Sequence, residues 1–580
     1  MRIMLRRWPG LLIRIALLLI IAWGSNLWLV RVRDSVHNHR SVLTGQPSLN
    51  DPTNPLVQQV VVVLIGGLRY DASLEMPFLN TLREQGLDAR CTGDYPSYSQ
   101  SAWTTLISGA GPEISDAPLV NLPYEQLSFL TVDGLFTEAK RANLTTALVG
   151  FHWWERMIPE QVVDRRFFVS ATDAQSDLQV TQTALELMGN LPPNLLLIHL
   201  SEVTGAAQAY GTDSQEYRSA VQNADSHLRE IAQVMSLTRN VLIVTSDHGY
   251  LADGGHGGAD TEVVITPLVM VGARIAQGSR DGIRQADIAP TVAALLGLAV
   301  PSAAQGDILF DSMVLDEAES TEKWVSWSQQ RVELSSLYLE SIGQAPLTEA
   351  ARGDAEVAYS SLMVRNYGSA RRLAEFAVRE GTREMIKGRS QRIAGEQQRR
   401  LPLAALPIAA VAYLLWRRWS PTTAVLLACA LSTVVIHNLL FLWQGHVYSF
   451  STIGDWETFA TDALVRTARA LVPAVCVIIW LVWRQKRRAP IEIATLTYSF
   501  ALILALLLAL PLAATYVLNG FEVAWRLPHH LSAFLQVFSL LQLGMAAFLT
   551  ILLPLISIPS DRALRWVASG VGSRIRSADR

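Results

Sequence analysis

The segment Thr245–Gly258, T-S-D-H-G-Y-L-A-D-G-G-H-G-G, contains the residues best suited to chemistry in this chain. It brings Asp247, His248 and His256 together among glycines. Carboxylate and imidazole groups are common zinc ligands, and glycine lets a backbone approach a phosphate closely. The segment therefore predicts a metal site beside a phosphate site. Taken alone, it also fits a hydrogen-bonded Asp–His turn that is kept for structure.

Apolar runs and helical patterns alternate around this segment. The β-branched run Val241–Val244 directly precedes it and indicates a buried strand. Such alternation is typical of an α/β fold with a mostly parallel sheet, helices on both faces, and ligands at the carboxyl ends of the strands. The predicted strands are 60–65, 145–149, 195–200 and 241–245, and the predicted helices include 76–85, 135–141, 178–188 and 214–234.

Composition narrows the functional classes. Hydrophobic residues make up 50% of the 580-residue chain, 17% is charged, and the formal net charge is −3. This charge balance gives no reason to expect a nucleic-acid partner. Two of the three cysteines, Cys429 and Cys476, lie in apolar stretches, so we expect no disulfide framework.

Long apolar stretches predict a multi-pass membrane protein. The first, Leu11–Val30, reads as an uncleaved anchor, with a signal peptide as the alternative. Basic residues follow alternate stretches, whereas the loop 444–464 has acidic residues and no Lys or Arg. The positive-inside rule then predicts both termini in the cytoplasm and residues 31–400 outside it, at the plasma membrane. The six predicted spans are 11–30, 402–416, 421–443, 467–483, 492–517 and 530–557.

These patterns divide the chain into consecutive regions. An N-terminal membrane anchor and a proline-containing linker precede the main α/β domain, which a polar helical extension joins to the membrane helices. The predicted regions are the anchor 1–35, the linker 36–59, the extracytoplasmic domain 60–310, the helical extension 311–400, the five-span region 401–558 and a basic cytoplasmic tail 559–580.

Five segments, in order, carry a family resemblance. They are V-V-V-V-L-I-G-G-L-R-Y-D (60–71), Y-P-S-Y-S-Q-S-A-W-T-T-L-I-S-G (95–109), L-L-L-I-H-L-S-E-V-T-G-A-A-Q-A-Y-G (195–211), T-S-D-H-G…G-G-H-G-G (245–258) and D-I-A-P-T-V-A-A-L-L-G (287–297). The chain resembles the type I phosphodiesterase and nucleotide pyrophosphatase branch of the alkaline phosphatase superfamily, as a membrane-anchored, bacterial-type member. The resemblance implies an alkaline-phosphatase-like fold.

The resemblance also implies a mechanism with two metal ions, usually zinc, flanking a Ser or Thr nucleophile. Ser99 matches the nucleophile position, at the start of a predicted helix whose N–H groups suit a phosphate. A helix-capping role for Ser99 is the alternative, and Ser97 is a weaker nucleophile candidate. By the same comparison, Asp247 and His248 match one metal site, and His256 matches the other.

Three family ligand positions are substituted. Gly66 stands in place of an aspartate, and Thr204 and Gln208 stand in place of the aspartate and histidine of a D-x-x-x-H pattern. None of the three replacements is a comparable zinc ligand. Glu202, two residues before Thr204, would face the same side of an extended chain and is a candidate replacement ligand. We therefore expect one bound zinc ion or none.

Three functions fit this sequence. The first is a superfamily member with degenerate metal sites that serves as a binding or scaffolding domain, with membrane lipid and a phosphate-containing ligand as partners. The second is an active metal-dependent phosphodiesterase or phosphoethanolamine transferase acting on lipid-linked or extracytoplasmic substrates; glycosylphosphatidylinositol ethanolamine phosphate transferases resemble this chain in architecture. In the third, the C-terminal helices carry the function, as a transporter or an assembly subunit.

Overall fold

The computed structural model describes residues 8–48, 50–417, 419–484 and 490–560. Most of the basic residues behind the predicted orientation, and residues 561–580 of the predicted tail, lie outside these ranges. The strands are β1 (Val60–Ile65), β2 (Leu87–Thr92), β3 (Thr146–Phe151), β4 (Arg165–Val169), β5 (Leu195–Leu200), β6 (Val241–Thr245), β7 (Ile265–Gly272) and β8 (Gly278–Arg284).

Helices surround this sheet and account for most of the other described residues. They are α1 (Trp8–His37), α2 (Tyr70–Ser73), α3 (Pro77–Gln85), α4 (Ser99–Ser108), α5 (Pro112–Ser115), α6 (Leu135–Arg141), α7 (Trp153–Met157), α8 (Ala174–Asn190), α9 (Glu202–Tyr210), α10 (Gln215–Gln233), α11 (Thr261–Val264), α12 (Ile288–Leu296), α13 (Glu317–Ser341), α14 (Glu349–Met363), α15 (Tyr367–Arg417), α16 (Pro421–Trp443), α17 (Trp456–Arg484), α18 (Pro490–Asn519) and α19 (His530–Ile551).

The eight strands form one mostly parallel sheet in the order β4-β3-β5-β1-β6-β7-β2-β8. Strand β7 runs antiparallel to both of its neighbours, β6 and β2. The predicted α/β fold and its four predicted strands are confirmed. Strands β2, β4, β7 and β8 complete the sheet and were not predicted.

Strand β1 shows why the sheet is covered on both faces. Its six residues, V-V-V-V-L-I, are all buried. Because side chains alternate along a strand, Val60, Val62 and Leu64 enter one apolar layer, and Val61 and Val63 enter the layer on the opposite face. A continuous aliphatic run is what a central parallel strand needs, since neither of its faces meets water.

Five helices among the described residues are long and apolar enough to cross a membrane: Pro9–His37, Pro421–Trp443, Trp456–Arg484, Pro490–Asn519 and His530–Ser560. The short predicted span 402–416 is not one of them. It forms the last turns of α15, a 51-residue helix that continues through the predicted boundary at residue 400. Leu403 and Leu406 are 63% and 68% exposed there, so a sixth span remains a prediction.

Two connections between the apolar helices contact the α/β domain. After α16, Ser449 Oγ donates to Asp260 Oδ2 over 2.6 Å. After α18, the Leu527 N–H donates to Glu113 Oε2 over 3.3 Å, and the same carboxylate forms an ion pair with Arg389 of α15 at 2.7 Å. The connection after α16 therefore meets the domain close to the glycine segment that holds His256.

Candidate functional site

The predicted catalytic residues meet at the carboxyl edge of the central strands. Asp247 and His248 follow β6, Gly66 follows β1, and Ser99 is the first residue of α4. Strands β1 and β6 are parallel neighbours, so the residues after them lie side by side. The Gly67 N–H donates to Asp247 Oδ1 over 3.0 Å and joins the two strand ends.

The Ser99 hydroxyl contacts the His248 ring. Ser99 Oγ lies 3.0 Å from His248 Nε2, and the opposite ring nitrogen, Nδ1, lies 2.9 Å from the Gly249 carbonyl oxygen. Because a carbonyl oxygen only accepts, Nδ1 carries the proton of the neutral ring and Nε2 accepts from the hydroxyl. A hydroxyl beside a base is the arrangement of an activated nucleophile. Ser99 is only 4% exposed, however, so solvent barely reaches it.

The contacts of Ser97 and Ser99 bear on two alternatives, a capping role for Ser99 and a nucleophile role for Ser97. Tyr98 occupies the N-cap position of α4, so the predicted capping role of Ser99 is wrong. Ser97 is the second serine of this segment, and its Oγ donates to the Gly258 carbonyl over 2.6 Å. Ser97 therefore holds the glycine segment, whereas Ser99 faces the imidazole.

The Asp247 carboxylate is surrounded by N–H donors. Oδ1 accepts from the backbone N–H groups of Gly67 at 3.0 Å and His248 at 2.9 Å, and Oδ2 accepts from Trp103 Nε1 at 2.8 Å. Burial opposes ionisation of Asp247, but the neighbouring imidazoles and these donors outweigh it and hold the pKa of the carboxyl below its usual range. The site is therefore built around a buried, ionised carboxylate that protein N–H groups stabilise.

His256 joins the cluster through its ring. It stacks on His248 with ring centres 4.8 Å apart and an interplanar angle of 10°, and the rings of Tyr98 and Tyr250 contact its other sides at 5.4 and 4.7 Å. Burial, followed by the adjacent His248 imidazole, lowers the pKa of His256 to about 3. Its Nε2 is buried without a hydrogen-bond partner. His256 and His248 therefore lie ring against ring, and one ring nitrogen of His256 has no hydrogen-bond partner.

The three positions predicted to carry substituted ligands are closely packed or hydrogen-bonded. A Cβ atom at Gly66 would lie 2.8 Å from Thr204 Oγ1 and 2.9 Å from His199 Nε2, closer than side-chain carbons approach such atoms. Gln208 Nε2 donates to the Tyr250 hydroxyl over 2.9 Å. An aspartate at position 66 therefore has no room unless its neighbours move, and the Gln208 amide is already engaged.

The extended-chain argument for Glu202 as a replacement ligand does not hold, and Glu202 as a ligand stays a prediction. Its Oε1 accepts from Asn223 Nδ2 over 2.9 Å, and its backbone N–H donates to Asp177. The prediction assumed an extended chain between Glu202 and Thr204, but α9 begins at Glu202. Two residues in a helix span about 200° of rotation, so the two side chains point to different sides.

The residues present do not fit two zinc ions. Within the described ranges, no group of three or more His, Cys, Asp and Glu residues is arranged to hold a metal. Both Asp247 oxygens already accept N–H bonds, and a metal would compete with the Trp103 indole for Oδ2. His256 offers a nitrogen but has neither of its two family partner ligands. No step through a metal is therefore derived, and the expectation of one zinc ion or none stays a prediction.

Two tryptophans and a histidine complete the site and were missed from the sequence. Trp103 and Trp154 stack at 4.6 Å, and Trp154 Nε1 donates to His199 Nδ1 over 3.2 Å. Burial lowers the pKa of His199 to about 4. One signal was available: Trp103 lies four residues after Ser99, which places both on the same face of α4.

A cavity of about 780 Å³ lies between this site and the apolar helices. Tyr98, Gln208 and His256 line it from the α/β domain, and Val32 of α1 and Val537 of α19 line it from the apolar helices. Among the described residues, neither Ser99 nor His248 belongs to its lining. The cavity thus borders the site at Tyr98 and His256.

Comparison with known proteins supports the domain assignment. Residues 133–253 match the family model described as type I phosphodiesterase / nucleotide pyrophosphatase. Residues 133–253 are therefore similar to this family, which supports the predicted resemblance over that part of the chain. Similar solved structures are a protein in the alkaline phosphatase superfamily from Vibrio parahaemolyticus (TM-score 0.36, 16% identity, 50% of this chain and 79% of that chain) and murine ectonucleotide pyrophosphatase / phosphodiesterase 5 (TM-score 0.36, 13% identity, 44% and 100%).

The curated relatives are GPI ethanolamine phosphate transferases by name. The chain is 26% identical over 311 residues to GPI ethanolamine phosphate transferase 2, catalytic subunit, from Homo sapiens, covering 50% of this chain and 31% of that protein. It is 23% identical over 302 residues to GPI ethanolamine phosphate transferase 2 from Saccharomyces cerevisiae, covering 44% and 36%. The chain therefore spans about a third of the length of these two relatives.

The packing around Gly66 predicts that a methyl group is not tolerated there. We expect Gly66→Ala to lower stability by about 1–3 kcal/mol, because the new Cβ would overlap Thr204 Oγ1 and His199 Nε2. The thermal unfolding midpoint of the full-length protein in detergent measures this. Gly353→Ala is the control, since a Cβ in that helix meets no atom within 4 Å. Equal midpoints for Gly66→Ala and the wild type would show that position 66 has room for a side-chain carbon and would contradict this packing argument.

The buried His199 predicts a loss of stability in mild acid. Its folded pKa of about 4 lies below the ordinary 6.5, so the unfolded chain binds more protons between these values and stability falls as pH falls through that window. His199 alone accounts for about 2 kcal/mol between pH 7 and pH 5. We expect His199→Asn, which keeps an acceptor for Trp154, to flatten the dependence of the unfolding midpoint on pH. A variant that follows the wild-type curve would contradict this assignment.

Proposed function

We propose that this chain is a membrane-bound, phosphodiesterase-like protein that binds a phosphate-bearing, lipid-linked ligand and has lost two-metal catalysis. The packing at Gly66, Thr204 and Gln208 carries the proposal. A side chain at position 66 would overlap Thr204 Oγ1 and His199 Nε2, and the Gln208 amide already donates to the Tyr250 hydroxyl. The N–H donors on Asp247 also support the proposal, since they stabilise the ionised carboxylate without a metal ion. A binding or scaffolding role follows.

The cavity supports a lipid-linked ligand. Its apolar side chains, which include Val32 and Val537, come from helices long enough to span a membrane. Arg33, His37 and the imidazole of His256 also line it. Apolar walls suit acyl or prenyl chains, whereas basic groups and imidazole N–H groups suit a phosphate. A lipid headgroup at this place would contact the α/β domain and the membrane helices at once.

The location of the domain is part of this proposal. The contacts of the loop after α16 with the α/β domain support the predicted topology, because the same prediction places loop 444–464 and residues 31–400 on one side of the membrane. We propose a multi-pass plasma-membrane protein with both termini in the cytoplasm and the α/β domain outside it.

A phosphoethanolamine transferase is the second candidate. The contact between Ser99 Oγ and His248 Nε2 favours it, and so do the names of the curated relatives. In this alternative the Ser99 oxygen would attack phosphorus while Nε2 accepts the hydroxyl proton, and the lipid alcohol would leave. Tyr98 and His256 would have to open a path, because Ser99 is almost fully buried.

Metal content and turnover separate the two candidates. We expect the full-length protein, purified in detergent, to bind fewer than two zinc or manganese ions per chain by elemental analysis. We also expect the same background rate for wild type and Ser99→Ala on aryl phosphodiesters and aryl phosphomonoesters. Two bound metals, together with turnover that Ser99→Ala abolishes, would establish the transferase candidate and overturn the binding proposal.

Filling the cavity tests the ligand. We expect Val537→Trp to weaken binding of fluorescent phosphatidylethanolamine in nanodiscs at least tenfold, because the indole would occupy the apolar end of the cavity. Leu531→Trp is the matched control, since Leu531 lies on the same helix and is 42% exposed. Ser99→Ala should bind like the wild type. Unchanged binding by Val537→Trp would remove the cavity from the proposal.

A further inference from the structure

A buried arginine lies inside the group of apolar helices. Arg466 of α17 is 1% exposed, and among the described residues it forms no ion pair with a carboxylate. Its Nη1 donates to Gln444, and its guanidinium lies 5.0 Å over the Phe441 ring. Its Nε and Nη2 are buried without partners. A charged group in such a place is costly, so it indicates a function or an unseen partner.

His437 adds a further donor close to this arginine. It precedes Phe441 by four residues, so the two lie on one face of α16, and the Phe441 ring lies beneath the guanidinium. Gln542 Nε2 lies 2.6 Å from His437 Nδ1, and an amide nitrogen only donates, so Nδ1 accepts and the ring proton is on Nε2. That Nε2 is also buried without a partner.

The unpartnered atoms are therefore all donors. Arg466 Nε, Arg466 Nη2 and His437 Nε2 require an occupant that accepts several hydrogen bonds and carries negative charge. A phosphate group has both properties, and it repays the cost of a buried guanidinium.

We propose that Arg466 and His437 form a phosphate-binding site within the membrane helices, separate from the cavity beside His256. The phosphate belongs either to a phospholipid headgroup or to inorganic phosphate. Arg466 lies about 15 Å along α17 from its start, and His437 lies about 9 Å from the end of α16. Both ends adjoin the loop that contacts the α/β domain, so the site lies toward that side of the helices.

Polar residues of α19 lie between the proposed phosphate site and the cavity beside His256. Ser532, Gln536, Ser539 and Gln542 are buried on one face of α19, at intervals of three or four residues. Gln536 lines the cavity at one end of this stripe, and Gln542 contacts His437 at the other. A polar stripe on an apolar helix therefore runs from the cavity to the proposed phosphate site.

Thermal stability of the delipidated full-length protein in dodecyl maltoside tests the site. We expect phosphatidylglycerol or inorganic phosphate to raise the unfolding midpoint of the wild type. For Arg466→Gln, at least a tenfold higher concentration of the same probe should be needed to produce the same rise. Arg469→Gln is the matched control, because Arg469 lies three residues along the same helix and is exposed. Arg466→Lys, which keeps the charge and loses the fork of donors, should be intermediate.

The two probes distinguish the source of the phosphate. A response to phosphatidylglycerol alone assigns the site to a lipid headgroup, and a response to inorganic phosphate assigns it to the free anion. His437→Phe provides a second variant that keeps an aromatic ring and removes one donor. Val537→Trp fills the cavity beside His256, which is separate from the proposed phosphate site, so this variant should keep the Arg466-dependent response. If neither probe produces a response that depends on Arg466 or His437, the proposal is wrong.

Discussion

The buried carboxylate of Asp247 is the constraint around which the site is arranged. A carboxylate that is 1% exposed needs a cation or several hydrogen-bond donors to remain ionised. Its donors come from three different elements: the turn after β1 supplies Gly67, the backbone after β6 supplies His248, and α4 supplies Trp103. One charge therefore fixes the relative positions of two central strands and of the helix that presents Ser99. Gly67 makes this possible, since its φ of +76° is a conformation that glycine adopts readily.

The residues around Gly66 and Asp247 form one closely packed group. The Trp103 indole donates to Asp247 Oδ2 and the Gly67 N–H donates to Oδ1, so both oxygens of the buried carboxylate have donors. Glycine at position 66 leaves space for Thr204 Oγ1 and His199 Nε2, which a Cβ atom there would approach to 2.8 and 2.9 Å. The absence of a side chain at position 66 and the donors on Asp247 are thus parts of the same packing arrangement.

The sequence predicted those parts that local patterns determine. The aliphatic runs of β1, β5 and β6 are long enough to indicate central parallel strands, and the segment after β6 places Asp247 at the carboxyl edge of the sheet. The edge-side strands were missed because charged residues interrupt them, as in L-D-A-R-C-T of β2 and G-S-R-D-G-I-R of β8.

Trp103 escaped prediction as a partner of Asp247 because the two are 144 residues apart, and only the folded chain brings them together. The error at Glu202 has a local cause, since the helix begins at that residue and an argument of strand periodicity does not apply.

The glycine segment around His256 links the site to the membrane helices. Gly258 donates its N–H to Ser451 Oγ over 2.9 Å, and its carbonyl accepts from Ser97. The family resemblance would place a metal on His256, and such a bond would fix this segment within the α/β domain. Here hydrogen bonds from the loop after α16 and from the domain hold the segment from both sides. Because the cavity is lined by His256, Gly257 and Ser451 alike, a ligand bound there would contact the same segment and the same loop, and its binding energy would act directly on the junction between domain and membrane helices.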